Sequence, residues 1–155
     1  MSVSKEAPCV FCGIIKGELE ANVVFRDNVS IAFLDKKPLF LGHCLLAPID
    51  HYETLVDLPG SLVAPLFMNA RLLAVAVQKA MNADGSFVAI NNKISQSVPH
   101  LHVHIVPRRH GDGLRGFFWP RQKYESNEAI LATQKMIENT ISELQAKIRN
   151  NQNGI

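Results

Sequence analysis

The sequence predicts an α+β domain in which a mainly antiparallel five-stranded sheet packs with a central helix, with a further helix at the C-terminus. Three observations carry this. Five short runs rich in Val, Ile, Leu and Phe are separated by turn formers. An apolar segment between residues 61 and 82 has helical spacing, and a polar segment after Asn127 carries an apolar stripe.

The runs are NVVFRDN, SIAFLD, HCLLAPI, SFVAIN and PHLHVHIVPR, with turn residues at Asp27-Asn28, Pro38, Gly42 and Asp84-Gly85. In the central segment Leu66, Ala70, Leu73, Val77 and Met81 fall on one helical face, and further apolar residues adjoin it. That predicts a helix packed on two sides, the second side being open to a partner subunit. Pro65, Asn69, Arg71 and Gln78 interrupt it, and its longest unbroken apolar run, Leu72 to Val77, is far short of the ~20 residues of a membrane span. The segment therefore reads as a buried helix, and no membrane partner is expected. The last helix takes Ser126 or Asn127 as its cap and Ile130, Ile137, Ile141, Leu144 and Ile148 as its stripe, with Glu143 and Lys147 as an i,i+4 pair. Residues 1–125 read as one domain and 126–155 as a helical extension of it.

A chain of 155 residues, 47% hydrophobic and 19% charged, suits one folded domain with one site. A net charge of +2 is too small for a dedicated nucleic-acid binder. Its distribution is uneven: Arg108, Arg109, Arg115, Arg121 and Lys123 share 16 residues with a single acid, Asp112. That stretch either attracts phosphate groups or is a solvated basic loop. The N-terminus lacks the apolar core of a secretory signal, so a cytoplasmic location is expected. Three cysteines in such a chain argue against a disulfide framework. Cys44, beside Leu45 and Leu46, reads as a small core residue.

The chemistry concentrates in HLHVH, residues 100–104. On a strand, His100, His102 and His104 point to one face, while Leu101, Val103 and Ile105 point to the other and bury it. Alternate Cα atoms are about 6.6 to 7 Å apart, which lets two imidazoles share a metal but makes three a poor tetrahedral set. Clustered titratable groups are costly unless they stay neutral, bind a cation or meet an anion, so a catalytic or ligand site is expected. His110 stands apart and reads as a surface or hydrogen-bonded core residue. Cys9-Val-Phe-Cys12 has structural-zinc spacing and supplies two of four ligands. His43, His51 and one histidine of the 100–104 run are the candidates for the others. Metal-free thiols are the alternative; a thioredoxin-like redox unit lacks its preceding strand.

QSVPHLHVHIVPR resembles the signature of the histidine triad (HIT) family of nucleotide hydrolases and transferases, in which three histidines alternate with apolar residues. Supporting elements follow in order: CVFCGIIKGE, AFLDKKP, GHCLLAPIDH, Asn91-Asn92, and Trp119-Pro120. The resemblance implies a HIT-like fold and an enzyme whose middle histidine, His102, attacks the α-phosphate of a nucleotide, adenine or another purine. The resulting nucleotidyl-histidine is then hydrolysed. It further implies His104 at a phosphate oxygen, helping to neutralise charge in the transition state, with Ser97 also at the phosphate and Gln96 in the same loop. Asn91, with Asn92 as the alternative, would reach the phosphate or bridging atom, and Asp35 the ribose hydroxyls. A structural zinc would sit on Cys9, Cys12, His51 and His100, leaving His43 as a structural or pocket-wall residue. A homodimer through the central helix and an edge strand is also implied.

The sequence departs from the family at Ser95, where members commonly have glycine, in a shorter loop. It is also longer after the triad, where Phe117, Phe118 and Trp119 would close the pocket or a dimer surface. Arg115 or Arg121 would meet distal phosphates, which favours a dinucleoside polyphosphate over a phosphoramidate. Two other readings of the chain are a nucleotide-binding regulatory or scaffold protein with little turnover, and a zinc hydrolase using the histidine run directly.

Overall fold

A computed structural model describes residues 9–114 and 123–152. The chain divides into two compact units at Gly113 and Leu114. In the first, helix α1 (Val10–Lys16) precedes strands β1 (Val23–Arg26), β2 (Ser30–Leu34) and β3 (Cys44–Pro48). A 3-10 turn (Leu55–Asp57), helix α2 (Gly60–Ala80) and strands β4 (Gly85–Ile90) and β5 (Val103–Arg108) follow. The second unit holds helix α3 (Asn127–Gln152), where the Ser126 hydroxyl accepts the Ala129 N–H at 3.1 Å as the cap. The expectations for Arg115, Phe117, Phe118, Trp119, Pro120 and Arg121 fall outside the described residues. So do those for the side chains of Ile141, Glu143, Leu144, Lys147 and Ile148.

The five strands form one sheet in the order β1-β2-β3-β5-β4, every neighbouring pair antiparallel. The β1–β2 turn closes on Asp27, whose Oδ1 accepts the N–H groups of Val29 and Ser30, both at 2.8 Å. Strand alternation then sorts the core onto two faces. Ala32, Cys44, Leu46, Val103 and Ile105 meet Leu66, Ala70, Leu73 and Val77 of α2. Ile31, Phe33, Leu45 and Ala47 meet Phe11 and Ile14 of α1 on the opposite face. As expected, Cys44 is a core residue, and burial pushes its thiol pKa up.

Three expectations change. The sequence suggests no helix at 10–16, because seven residues are too few for a clear period; α1 nevertheless forms, stopped by Gly17 at φ 77°. The histidine strand begins at Val103, so His100 lies in a bend and His102 in the short stretch that leads from it into β5. There Leu101 donates its N–H to the Tyr52 carbonyl instead of to a sheet neighbour. Finally, α2 is long and apolar enough to cross a membrane by length and composition, yet it is neither buried all round nor uniform. One stripe packs on the sheet, and Asn69 donates to Asp27 at 2.7 Å and Ser30 at 2.9 Å. Its other face leaves Val63, Phe67, Met68, Leu72 and Val75 exposed.

Candidate active site

A seven-residue helix cannot cover a five-stranded sheet, so part of the α1 face remains open as a cleft of about 310 Å³. Phe11, Ile14, Leu19, Phe33 and Leu45 supply apolar walls. Asp35, Ser97, His102 and His104 bring polar groups to the same cleft. An apolar slot with a few convergent polar groups is the usual form of a small-molecule site.

Backbone acceptors fix the imidazole tautomers. A carbonyl only accepts, so the 2.7 Å contact between His102 Nδ1 and the His100 carbonyl places the proton on Nδ1. His102 Nε2, on a ring lining the cleft, keeps its lone pair. His100 Nε2 lies 3.0 Å from the Pro48 carbonyl and is likewise the protonated nitrogen, which frees Nδ1 for a ligand role. The Leu39 N–H donates to His43 Nδ1 at 3.2 Å, so His43 Nε2 carries hydrogen and donates to His104 Nδ1 at 3.0 Å. His104 is left with its hydrogen on Nε2, a buried atom with no partner among the described residues.

Burial favours the neutral form of His43, His100 and His104. Burial first, then His102 and His43, push the His104 pKa down to about 4, against an opposing pull from Asp35. Burial also lowers His43, outweighing the Asp35 carboxylate 3.6 Å from its Nδ1. His104 is therefore a neutral hydrogen-bond donor at pH 7, not the cation that charge neutralisation would require.

On the far side of His100 lies a second set. Cys9 Sγ and Cys12 Sγ are 3.5 and 3.6 Å from His100 Nδ1, and Cys12 Sγ is 3.3 Å from His51 Nδ1. Tetrahedral zinc with ordinary Zn–S and Zn–N bonds separates its ligands by about 3.5 Å, so this donor set fits the ion. Asp35, His43 and His104 also gather within 4.8 Å, but hydrogen bonds already occupy the facing nitrogens of the two histidines.

The structure thus brings Asp35, Ser97, His102 and His104 to one cleft, and Cys9, Cys12, His51 and His100 to one cluster. Asn91, Asn92 and Gln96 are not in the cleft lining, and their side chains have other partners. Asn91 donates to the Ser95 carbonyl at 3.3 Å and Asn92 accepts the Leu55 N–H at 2.9 Å. Gln96 accepts the Lys93 N–H at 2.8 Å and donates to the Glu53 carbonyl at 2.6 Å. Sequence reading missed the apolar walls, above all Phe11 and Phe33; the only signal was Phe33 two residues before Asp35, on the same side of one extended run.

The profile of the HIT domain matches residues 16–111. The adenylylsulfatase HINT3 of Arabidopsis thaliana is 38% identical over 108 residues, which are 68% of this chain and 55% of that protein. The chain thus spans about half the length of that relative. The adenosine 5'-monophosphoramidase HNT1 of Saccharomyces cerevisiae is 38% identical, over 76% of this chain and 73% of its own. The asymmetrical bis(5'-nucleosyl)-tetraphosphatase of Schizosaccharomyces pombe is 35% identical, over 59% and 52%. Among solved structures, a zinc-bound histidine triad family protein of Mycobacterium smegmatis superposes with a TM-score of 0.66 at 31% identity, covering 90% of this chain and 97% of its own. With the triad in place on this sheet and the family model spanning the five strands and α2, the chain belongs to the HIT-domain family.

Proposed function

We propose that this protein is a nucleotide hydrolase that releases a nucleoside monophosphate from a nucleoside phosphoramidate or a dinucleoside polyphosphate through a nucleotidyl-His102 intermediate. The observation that carries the reading is the His102 ring, held at Nδ1 by the His100 carbonyl with Nε2 unprotonated on the cleft wall. A base fits the apolar slot of Phe11, Ile14, Leu19 and Phe33, and a ribose between it and His102 meets Asp35. His102 Nε2 forms a bond to the α-phosphorus as the P–N or P–O bond to the leaving group breaks, the electron pair departing with the amine, which takes a proton from solvent, or with the phosphate. Water then attacks the same phosphorus, breaking the P–Nε2 bond and giving up a proton to solvent, which yields the monophosphate and returns neutral His102. The His104 Nε2–H donates to a phosphate oxygen, stabilising charge as it develops without carrying charge itself. The relatives named for phosphoramidate, adenylylsulfate and dinucleoside polyphosphate chemistry support the reaction class.

We also propose that Cys9, Cys12, His51 and His100 hold a structural zinc. Four protein donors would leave it no open position, and its role would be to tie α1 to the segment that carries the triad. A homodimer is proposed from the exposed α2 face and the exposed Val88 of β4, an edge strand.

The test is turnover of adenosine phosphoramidate and diadenosine tetraphosphate with product identification. Wild-type protein should release AMP from at least one, and His102→Ala should abolish it. Inactivity on both, or an H102A variant as fast as wild type, contradicts the assignment. For the metal, protein purified without chelators should carry about one zinc per chain, lost in Cys9→Ser and Cys12→Ser. Zinc that survives both substitutions contradicts the site.

A further inference from the structure

Helix α1 stands between the thiol–imidazole set and the nucleotide cleft, and one residue on it touches both. Cys9 caps the helix and Cys12 lies in its first turn, each sulfur within 3.6 Å of His100 Nδ1. Between them in sequence, Phe11 points into the domain and is 5% exposed. Its ring centroid is 5.1 Å from that of His102, with the planes at 82°, and 5.8 Å from that of His100. Phe33 packs against its other side at 5.1 Å and 76°.

The single hydrogen bond at Nδ1 fixes the tautomer of His102, but the ring can still rock about that contact. Two neighbouring rings limit the rocking: His104 at 4.8 Å and Phe11 at 5.1 Å. His104 is held by His43 and belongs to a central strand. Phe11 belongs to a seven-residue helix, too short to persist by its own hydrogen bonds. Its position rests on the burial of Phe11 and Ile14, the Gly17 stop and the two cysteines. The nucleophile's less secure neighbour is thus fastened by side chains that gather at His100.

We propose that Phe11 is a positioning residue for His102, and that the Cys9, Cys12, His51 and His100 set acts on the nucleophile by clamping α1 and with it the Phe11 ring. The proposal rests on the assignment of His102 as nucleophile. Phe11 also walls the cleft, but that duty needs only apolar bulk, whereas holding an imidazole at a fixed tilt needs a flat, rigid ring. The two duties separate in Phe11→Leu, which keeps the bulk and loses the ring.

The measurements are kcat and KM on adenosine phosphoramidate and diadenosine tetraphosphate, AMP binding by calorimetry, and zinc content. Phe11→Leu should carry the same zinc as wild type, while kcat falls about 10- to 100-fold, the scale of an ångström-sized misplacement of a reacting group, over and above any loss in AMP binding from the altered slot. Zinc-free wild-type protein, prepared with a chelator, should remain folded and bind AMP. It should lose kcat at least as far as F11L does, and regain it on zinc addition. An F11L chain with wild-type kcat, or one impaired in KM alone, overturns the positioning role. Should F11L not fold, the zinc-free wild-type protein carries the test. A zinc-free chain that keeps wild-type kcat, or is unfolded throughout, overturns the clamp. If H102A is as active as wild type, the nucleophile assignment fails instead, which is a separate outcome.

Discussion

His43 Nε2 donates to His104 Nδ1 across 3.0 Å, and this contact sets which nitrogen of His104 faces the cleft. The order of donation begins at the Leu39 N–H and ends at the His104 Nε2–H, which has no partner among the described residues, so His43 acts without lining the cleft itself. His43→Ala frees His104 to place its hydrogen on Nδ1, which would present a lone pair to the phosphate. The expected result is a loss of roughly 10- to 100-fold in kcat/KM, below the 10²- to 10³-fold typical of deleting such a donor outright. Steady-state kinetics of H43A beside His104→Ala checks this, and an H43A variant with unimpaired kcat/KM contradicts the relay.

The neutral state of His104 has a consequence for stability. Its pKa is about 4 in the fold against an ordinary 6.5, so between those values the unfolded chain binds more protons. The contribution is fully present above pH 6.5 and is lost as pH falls towards 4. Urea midpoints should therefore drop on acidification across that window, and the drop should be shallower in His104→Gln. Equal slopes for the two proteins contradict the assignment.

Ser95 has φ 60° and Lys93 φ 67°, both in the left-handed region. An L-residue there costs about 1–2 kcal/mol, and glycine relieves it at an entropic cost of about 0.5–1 kcal/mol. Ser95→Gly is expected to stabilise the protein by up to about 1 kcal/mol in urea unfolding. A destabilised variant would mean that the serine makes up for its own strain.

The exposed α2 face predicts self-association. Phe67→Glu, at a position 40% exposed, should leave the core stripe of Leu66, Ala70, Leu73 and Val77 intact while placing charge on the outer face. Sedimentation should show a dimer for wild type and a monomer for the variant. A wild-type monomer, or an F67E dimer of unchanged affinity, contradicts that interface.

Much of the site is legible in one line of residues: the alternation in HLHVH pairs His102 with His104 in the cleft, whereas His100 lies in a bend before β5 and gathers with the thiols, which alternation alone does not foresee. The Cys9-x-x-Cys12 spacing likewise announces two ligands. Residues such as Asn91, Asn92 and Gln96 read as nucleotide contacts only by their place in the motif order; where their side chains go depends on the 53–55 segment, which sequence distance hides.

By itself, then, the sequence determines the strand set, the two long helices, the pairing of His102 with His104 and the cysteine pair, since each depends on periodicity or spacing within a few residues. Tertiary structure decides what lies between them. It brings His51 and His100 to the thiols across sequence separations of 39 and 88 residues from Cys12. It sets each tautomer through a carbonyl or N–H contributed by another segment or by the backbone itself. It also folds α1, a helix too short to announce itself, onto the sheet face whose incomplete cover becomes the cleft.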